Sequence, residues 1–274
     1  MPRDQDRPQR EDAVDDGVDI DGAPDVLGPM HPLAMVYGGG GVFGIAYGAG
    51  VAHGLADQGI AVASAPSLGT SAGSWVASAV ALGLTYDDFA GLGSPSIPTR
   101  GAGLYERAFQ LFGNARHHLV SVSAVQLRSR RRRIFDGAAH PLADLVAASS
   151  AVPGLFPPHR IDGALYVDGG MWSATSVDAA ANAEQVVVVA PIAGPMMGPI
   201  GRTAGLLLGR ELQSWRRRNP GHEITMIRPN RAIGRLAGRN PLSLFDADRA
   251  RLVYPLAIEQ GRRWGAVLRS RSAA

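Results

Sequence analysis

A serine lies at the centre of the segment Gly69-Thr70-Ser71-Ala72-Gly73, between an apolar run and a helical pattern. In that context a G-x-S-x-G segment predicts a tight strand-to-helix turn, which raises the serine hydroxyl above the sheet edge at the positive end of the helix. Gly69 and Gly73 permit such a turn because they carry no side chain. Ser71 is therefore a candidate nucleophile, although the pattern also fits a turn whose serine only caps the helix.

Backbone donors for the same reaction are predicted in a second glycine-rich segment, the glycine loop at residues 39–44, which follows an apolar run. Attack by a serine on an ester creates an oxyanion, and N–H groups at the start of a helix can stabilise it. The candidate donors are the backbone N–H groups of this loop.

The glycine loop also fits a different kind of site. Gly39, Gly41 and Gly44 match the G-x-G-x-x-G fingerprint of dinucleotide-binding proteins. That fingerprint requires an acidic residue at the end of the second strand, about 20 residues further on. Asp57 falls inside the helix predicted directly after the loop, which Gly59 would end, and so dinucleotide binding is the weaker interpretation.

Asp168 is the candidate base, at the start of Asp168-Gly169-Gly170 and at the end of a predicted strand. A serine nucleophile needs a base within hydrogen-bond reach, and a carboxylate in a partly dry site can serve. An Asp-Gly pair is also a common turn former. His222 is the only histidine after Asp168, which leaves open a Ser–Asp–His triad of the α/β-hydrolase type.

Predicted strands and helices alternate around these motifs. Apolar runs at 33–37, 164–167, 186–190 and 224–228 are typical of buried strands. Helical spacing of apolar residues predicts helices at 74–82, 144–150, 206–218 and 246–269. The alternation predicts an α/β domain with a mainly parallel sheet.

Composition divides the 274-residue chain into a tail and a folded part. The first 25 residues contain nine acidic residues and three arginines, which predicts a disordered acidic tail at 1–30. The folded domain is predicted at 31–274, with the motifs within 33–229 and a C-terminal helical part at 240–270. The chain contains no cysteine, which excludes a thiol nucleophile and a disulfide framework.

Neither a signal sequence nor a membrane span is predicted. The N-terminus has no apolar region of the kind that secretory signals contain. The uncharged run at 58–86 is long enough to cross a bilayer, but turn-forming residues occupy its centre. We therefore interpret it as a buried strand, turn and helix.

Three ordered motifs together resemble those of the patatin-like phospholipases, a family of lipid acyl hydrolases. They are the glycine loop, the Gly69–Gly73 turn and Asp168-Gly169-Gly170. The segment at 148–158 is also similar to the one that these proteins carry before their aspartate. The resemblance extends over residues 33–229.

The resemblance implies a three-layer α/β domain with helices on both faces of a mainly parallel central sheet. It also implies a Ser–Asp dyad with no catalytic histidine. Ser71 would be the nucleophile, Asp168 the general base, and the amides of Gly39, Gly40, Gly41 and Val42 the oxyanion hole. An acyl-Ser71 intermediate would be hydrolysed by water, and no metal or organic cofactor is expected.

The expected substrate is a lipid or another acyl ester, and the expected location is the cytoplasm. Peripheral contact with an anionic membrane surface is a further expectation, because Arg128–Arg133 form a basic cluster that also fits a solvated face. No aromatic residues alternate with these arginines, and so no nucleic-acid partner is predicted.

The chain departs from the family pattern at two places. Phe43 stands where many members have Arg or Lys, and Ala174-Thr175-Ser176 stands where many have Asn-x-Pro. The first change removes a positive charge near the glycine loop, and the second removes a group that would hold a loop. Neither change touches the dyad, but together they leave open a catalytically silent lipid-binding protein on the same fold.

Overall fold

The computed structural model describes residues 29–92, 103–193, 198–238 and 240–272. The predicted acidic tail lies outside these ranges except for its last two residues. Eight strands form one sheet: β1 His31–Tyr37, β2 Ser67–Thr70, β3 Val120–Gln126, β4 Arg132–Asp136, β5 His159–Ile161, β6 Ala164–Asp168, β7 Ala183–Val189 and β8 Glu223–Ile227. The helices are α1 Gly41–Ala56, α2 Ala72–Ala81, α3 Tyr86–Ala90, α4 Gly103–Phe112, α5 Leu142–Ser149, α6 Gly198–Arg218, α7 Arg231–Ala237 and α8 Ala247–Ser272.

The sheet is mixed but mostly parallel. Its order is β5-β6-β3-β2-β1-β7-β8, and β4 pairs with β3. The neighbours from β3 through β8 are parallel, whereas β3 pairs antiparallel with β4 and β6, and β5 pairs antiparallel with β6. The predicted α/β fold with a mainly parallel sheet is confirmed.

Helices cover both faces of the sheet because its central strands are apolar on both sides. In β1, Met35 and Tyr37 belong to one buried cluster, whereas Ala34 and Val36 belong to another. The first cluster includes residues of α1, α2, α5 and α8, and the second includes α6, whose Trp215 is fully buried. The sheet is therefore the middle of three layers.

The uncharged run at 58–86 is not a single helix. It contains β2, the Gly69–Gly73 turn and α2, as predicted. Within the described ranges, we find no helix that combines the length and the apolar character needed to cross a bilayer.

One helix is longer than predicted. α6 begins at Gly198, whereas apolar periodicity predicts a start near residue 206. Its first turns contain glycine, proline and threonine, which do not produce a helical pattern of apolar residues. The helical pattern of α6 is therefore visible in the sequence only from about residue 206 onward.

Candidate active site

The Gly69–Gly73 turn places Ser71 at the junction of β2 and α2. A Cβ atom at Gly73 would overlap the backbone carbonyl of Tyr37, and one at Gly69 would lie 2.6 Å from the Gly73 carbonyl oxygen. Both positions therefore require glycine. Ser71 itself has φ 53° and ψ −123°, a conformation that is sparsely populated by residues with a side chain and costs roughly 1–3 kcal/mol.

Hydrogen bonds hold Ser71 in this strained conformation. Its N–H donates to the Ser149 hydroxyl at 2.8 Å, and that hydroxyl donates to the Ser123 carbonyl at 2.6 Å. On the other side, the Ser74 hydroxyl donates to the Ser71 carbonyl at 2.6 Å. The Ser71 backbone is thus fixed by α5, β3 and α2, and its hydroxyl remains available for another partner.

That partner is Asp168, because β2 and β6 share one edge of β3. β4 pairs with residues 121–125 of β3, so β2, which pairs with 120–123, and β6, which pairs with 124–126, must both lie along the opposite edge. β2 runs parallel to β3 and β6 runs antiparallel, and so their carboxyl ends meet. This end-to-end arrangement brings together two residues that are 97 positions apart in the chain.

The two side chains form a direct hydrogen bond. The Ser71 hydroxyl donates to Asp168 Oδ2 at 2.7 Å, and the Gly170 N–H donates to Asp168 Oδ1 at 2.6 Å. Asp168 is only 4% exposed. Burial raises the pKa of its carboxyl group from the ordinary value of 3.8 to about 6, against the opposing effect of the two hydrogen bonds. The carboxylate is therefore both oriented and more basic than a surface aspartate.

The glycine loop brings backbone amides to the same place. Gly41 has φ 60°, and a Cβ atom there would lie 2.8 Å from the Leu244 carbonyl oxygen, so the position requires glycine. The amides of Gly41 and Val42 stand in the first turn of α1 and have no acceptor within the helix. The Gly39 amide differs, because it donates to the Ala174 carbonyl at 2.8 Å. In this conformation Gly39 has no free N–H group to offer an oxyanion.

A cavity of about 370 Å³ opens beside Ser71, Gly41 and Val42. Much of its wall is apolar and aromatic, formed by Trp75, Tyr86, Phe89, Phe156 and Phe245 among others. The charged side chains of Asp248 and Arg251 also line it, and both are largely exposed, which places them at the opening. A cavity of this size and polarity suits an apolar chain that enters with its polar end near Ser71.

His222 is not part of this site. It lies at the amino end of β8, whereas Ser71 follows the carboxyl end of β2, and β1 and β7 separate these two parallel strands. Three interstrand spacings alone amount to roughly 14 Å. The alternative Ser–Asp–His triad is therefore wrong for this protein. In the part of the chain that the structure describes, no three His, Asp or Glu side chains are grouped so that they could bind a metal ion.

Ser149 and Ser150 also contribute to the site, and none of the three motifs predicts their roles. Ser149 accepts from the Ser71 amide, and Ser150 accepts from the indole N–H of Trp75 at 2.9 Å. Both lie in the 148–158 segment that resembles the patatin-like phospholipases. That resemblance was the only signal in the sequence that marked them.

Comparison with known proteins identifies one family. The family model named patatin-like phospholipase matches residues 101–181, which include Ser149 and Asp168 but neither Ser71 nor the glycine loop. No curated protein matches the sequence. Among solved structures, the chain is similar to the one titled "Crystal structure of VipD from Legionella pneumophila", with 14% identity and a TM-score of 0.41 over 84% of this chain and 67% of that chain. The family match confirms the resemblance to the patatin-like phospholipases and supports a lipid acyl hydrolase activity in general.

Proposed function

We propose that this protein hydrolyses carboxylic esters of lipids through Ser71 and Asp168. Ser71 attacks the ester carbonyl carbon while Asp168 accepts the hydroxyl proton, which is then passed to the departing alcohol. Water, deprotonated by Asp168, next attacks the acyl-Ser71 intermediate; the fatty acid leaves as Asp168 returns the proton to the Ser71 oxygen. The observation that carries this proposal is the 2.7 Å hydrogen bond from Ser71 to a buried carboxylate at the edge of an apolar cavity.

Asp168 has the properties that a general base requires. A pKa of about 6 leaves the carboxylate ionised at neutral pH yet raises its affinity for a proton. Its second oxygen is occupied by the Gly170 amide, so that only Oδ2 faces the Ser71 hydroxyl. The proton transfer therefore has a single direct route.

The developing oxyanion would be stabilised by the amides of Gly40, Gly41 and Val42. Gly41 and Val42 line the cavity together with Ser71, and the start of α1 adds the positive end of a helix dipole. A single oxyanion donor of this kind is commonly worth about 10²- to 10³-fold in kcat. Gly39 has a different role, because its amide is already bonded to Ala174.

The apolar cavity favours an acyl chain as the group that is bound, and hence a phospholipid, lysophospholipid or simple lipid ester. We propose a cytoplasmic protein that contacts lipid surfaces peripherally and has no nucleic-acid partner. Exposed apolar side chains close to Asp168 in the chain support this contact, since Met171 is 62% exposed and Trp172 is 41% exposed.

A fluorophosphonate probe tests the proposed nucleophile directly. We expect it to modify the wild-type protein at Ser71, as located by mass spectrometry, and to block hydrolysis of p-nitrophenyl butyrate. The Ser78→Ala variant is the matched control, because Ser78 lies in the same helix α2 and its buried hydroxyl has no hydrogen-bond partner. It should label like the wild type. A wild-type protein that neither labels nor hydrolyses the ester would contradict the proposal and favour the silent lipid-binding alternative.

The pH dependence of hydrolysis should report the Asp168 carboxyl group. Because only the ionised form accepts the Ser71 proton, kcat/KM should rise about tenfold per pH unit below pH 6 and level off above it. The His222→Ala variant should give the same profile. His222 precedes the edge strand β8, which β1 and β7 separate from β2 and Ser71. A midpoint near 3.8, or a profile changed by the loss of His222, would contradict this assignment.

A further inference from the structure

The loop between Asp168 and the 3-10 turn at Val177–Ala179 packs directly on the glycine loop. Its Ala174 carbonyl accepts the Gly39 N–H at 2.8 Å. A Cβ atom at Gly38 would lie 3.0 Å from that carbonyl oxygen and 3.0 Å from the Thr175 methyl group, so the two segments are in close contact. The position of Ala174 therefore sets the backbone at Gly38 and Gly39, which leads into the candidate oxyanion hole.

Thr175 is held in place by a carboxylate on the other face of the sheet. Its hydroxyl donates to Glu211 Oε2 at 3.1 Å, and Thr175 is 1% exposed. Glu211 belongs to α6, which packs against the cluster opposite α1 and α2. This hydrogen bond connects the helix on one face to the loop that carries Ala174.

Ser173 adds a second connection between the same loop and Glu211. Its hydroxyl oxygen accepts the N–H groups of Thr175 at 3.1 Å and Ser176 at 2.8 Å, and its hydroxyl group also hydrogen-bonds the Glu211 carboxylate. Burial raises the pKa of Glu211, and the two hydroxyl contacts oppose that shift. Two hydroxyl groups of one loop therefore donate hydrogen bonds to the Glu211 carboxylate.

A partly buried ion pair holds the far end of the loop. Arg132 of β4 contacts both oxygens of Asp178, at 2.7 and 2.8 Å, and Arg132 is 5% exposed. The Trp172 ring covers its guanidinium group at 5.7 Å. The loop that carries Ala174 is thus anchored at Asp178 as well as at Glu211.

We propose that Glu211 and Thr175 are positioning residues, which set the glycine loop for oxyanion binding through the Ala174 carbonyl and the Gly39 amide. This inference rests on the proposed function, since it assigns the role of these residues in the same reaction. The residues that support catalysis would then include Glu211, on the opposite face of the sheet from Ser71.

The test compares two substitutions of the same residue. Thr175→Val keeps the shape of the side chain but removes the hydroxyl, and should lower kcat for p-nitrophenyl butyrate by about 10- to 100-fold with little change in KM. Thr175→Ser keeps the hydroxyl and should restore most of kcat. Glu211→Gln should resemble Thr175→Val, because its amide group turns a donor toward one of the two hydroxyls. Thr225→Val is the control, since Thr225 is a buried threonine of β8 whose hydroxyl has no partner.

Hydrogen exchange provides a readout that does not depend on activity. In Thr175→Val, a peptide that contains Gly39 should exchange its amides faster than in the wild type, Thr175→Ser or Thr225→Val. If the wild type shows no Ser71-dependent hydrolysis, the proposed function fails, and exchange at Gly39 still decides whether Thr175 positions the loop. Unchanged kcat and unchanged exchange in a folded Thr175→Val variant would overturn the inference. A Thr175→Val variant that loses thermal stability but keeps wild-type kcat and wild-type exchange at Gly39 would overturn it too.

Discussion

Replacing Asp168 with asparagine is expected to lower kcat for ester hydrolysis by about 10³-fold, within the range of general acid–base contributions. Asparagine keeps the shape of the side chain, and its carbonyl oxygen can still accept the Gly170 amide. Its NH₂ group would then face the Ser71 hydroxyl and donate to it, which reverses the hydrogen bond observed at 2.7 Å. The serine would have no group to take its proton.

The same substitution is expected to stabilise the folded protein at neutral pH. The pKa of Asp168 is 3.8 ordinarily and about 6 when folded, which corresponds to a free-energy cost of about 3 kcal/mol for the ionised group above pH 6. Because the folded state binds the proton more tightly, wild-type stability falls as pH rises from about 4 to 6. Asparagine does not titrate, so the gain in free energy of unfolding should disappear below pH 4.

Urea unfolding at several pH values, together with kcat, checks both parts of this prediction. The Ser71→Ala variant is the reference for complete loss of the nucleophile. An Asp168→Asn variant with kcat within about threefold of the wild type would show that Asp168 is not the base. A variant less stable than the wild type at pH 8 but not at pH 4 would show that the hydrogen bonds of the carboxylate outweigh its burial.

Replacing Gly73 with alanine is expected to lower the free energy of unfolding by more than about 4 kcal/mol. The new Cβ atom would overlap the Tyr37 carbonyl oxygen, which belongs to the backbone of the central strand β1 and cannot move without breaking the sheet. Since small proteins are stable by only about 5–15 kcal/mol, much of the Gly73→Ala protein should be unfolded or melt at a far lower temperature.

Gly209→Ala is the matched control for this substitution. Gly209 lies inside α6, and no atom lies within 4 Å of the position that its Cβ would take. Alanine there should raise stability by about 0.5–1 kcal/mol, as expected in a helix interior. Thermal unfolding followed by circular dichroism compares the two variants. A Gly73→Ala protein as stable as Gly209→Ala would refute the close contact between the turn and β1.

Local patterns predicted the turn at Ser71 and the position of Asp168 at a strand end. They succeeded because each depends on short-range sterics: a tight turn needs glycine at 69 and 73, and an apolar run followed by Asp-Gly-Gly ends a strand. The start of α6 was missed because its first turns have no apolar stripe. The role of Ser149 depends on a contact with Ser71 that no local pattern records.

The types and spacing of Ser71, Asp168 and the loop glycines are local properties, and they mark these residues as able to do chemistry. Which of them come into contact depends on the packing of the whole fold. β2 and β6 converge on one edge of β3, which joins Ser71 to Asp168, while the order of the sheet places His222 at the far edge. The pairing of Gly39 with Ala174, and of Thr175 with Glu211, also depends on packing between distant segments. Strand order and layer packing arise from non-local burial, which one-dimensional spacing does not encode.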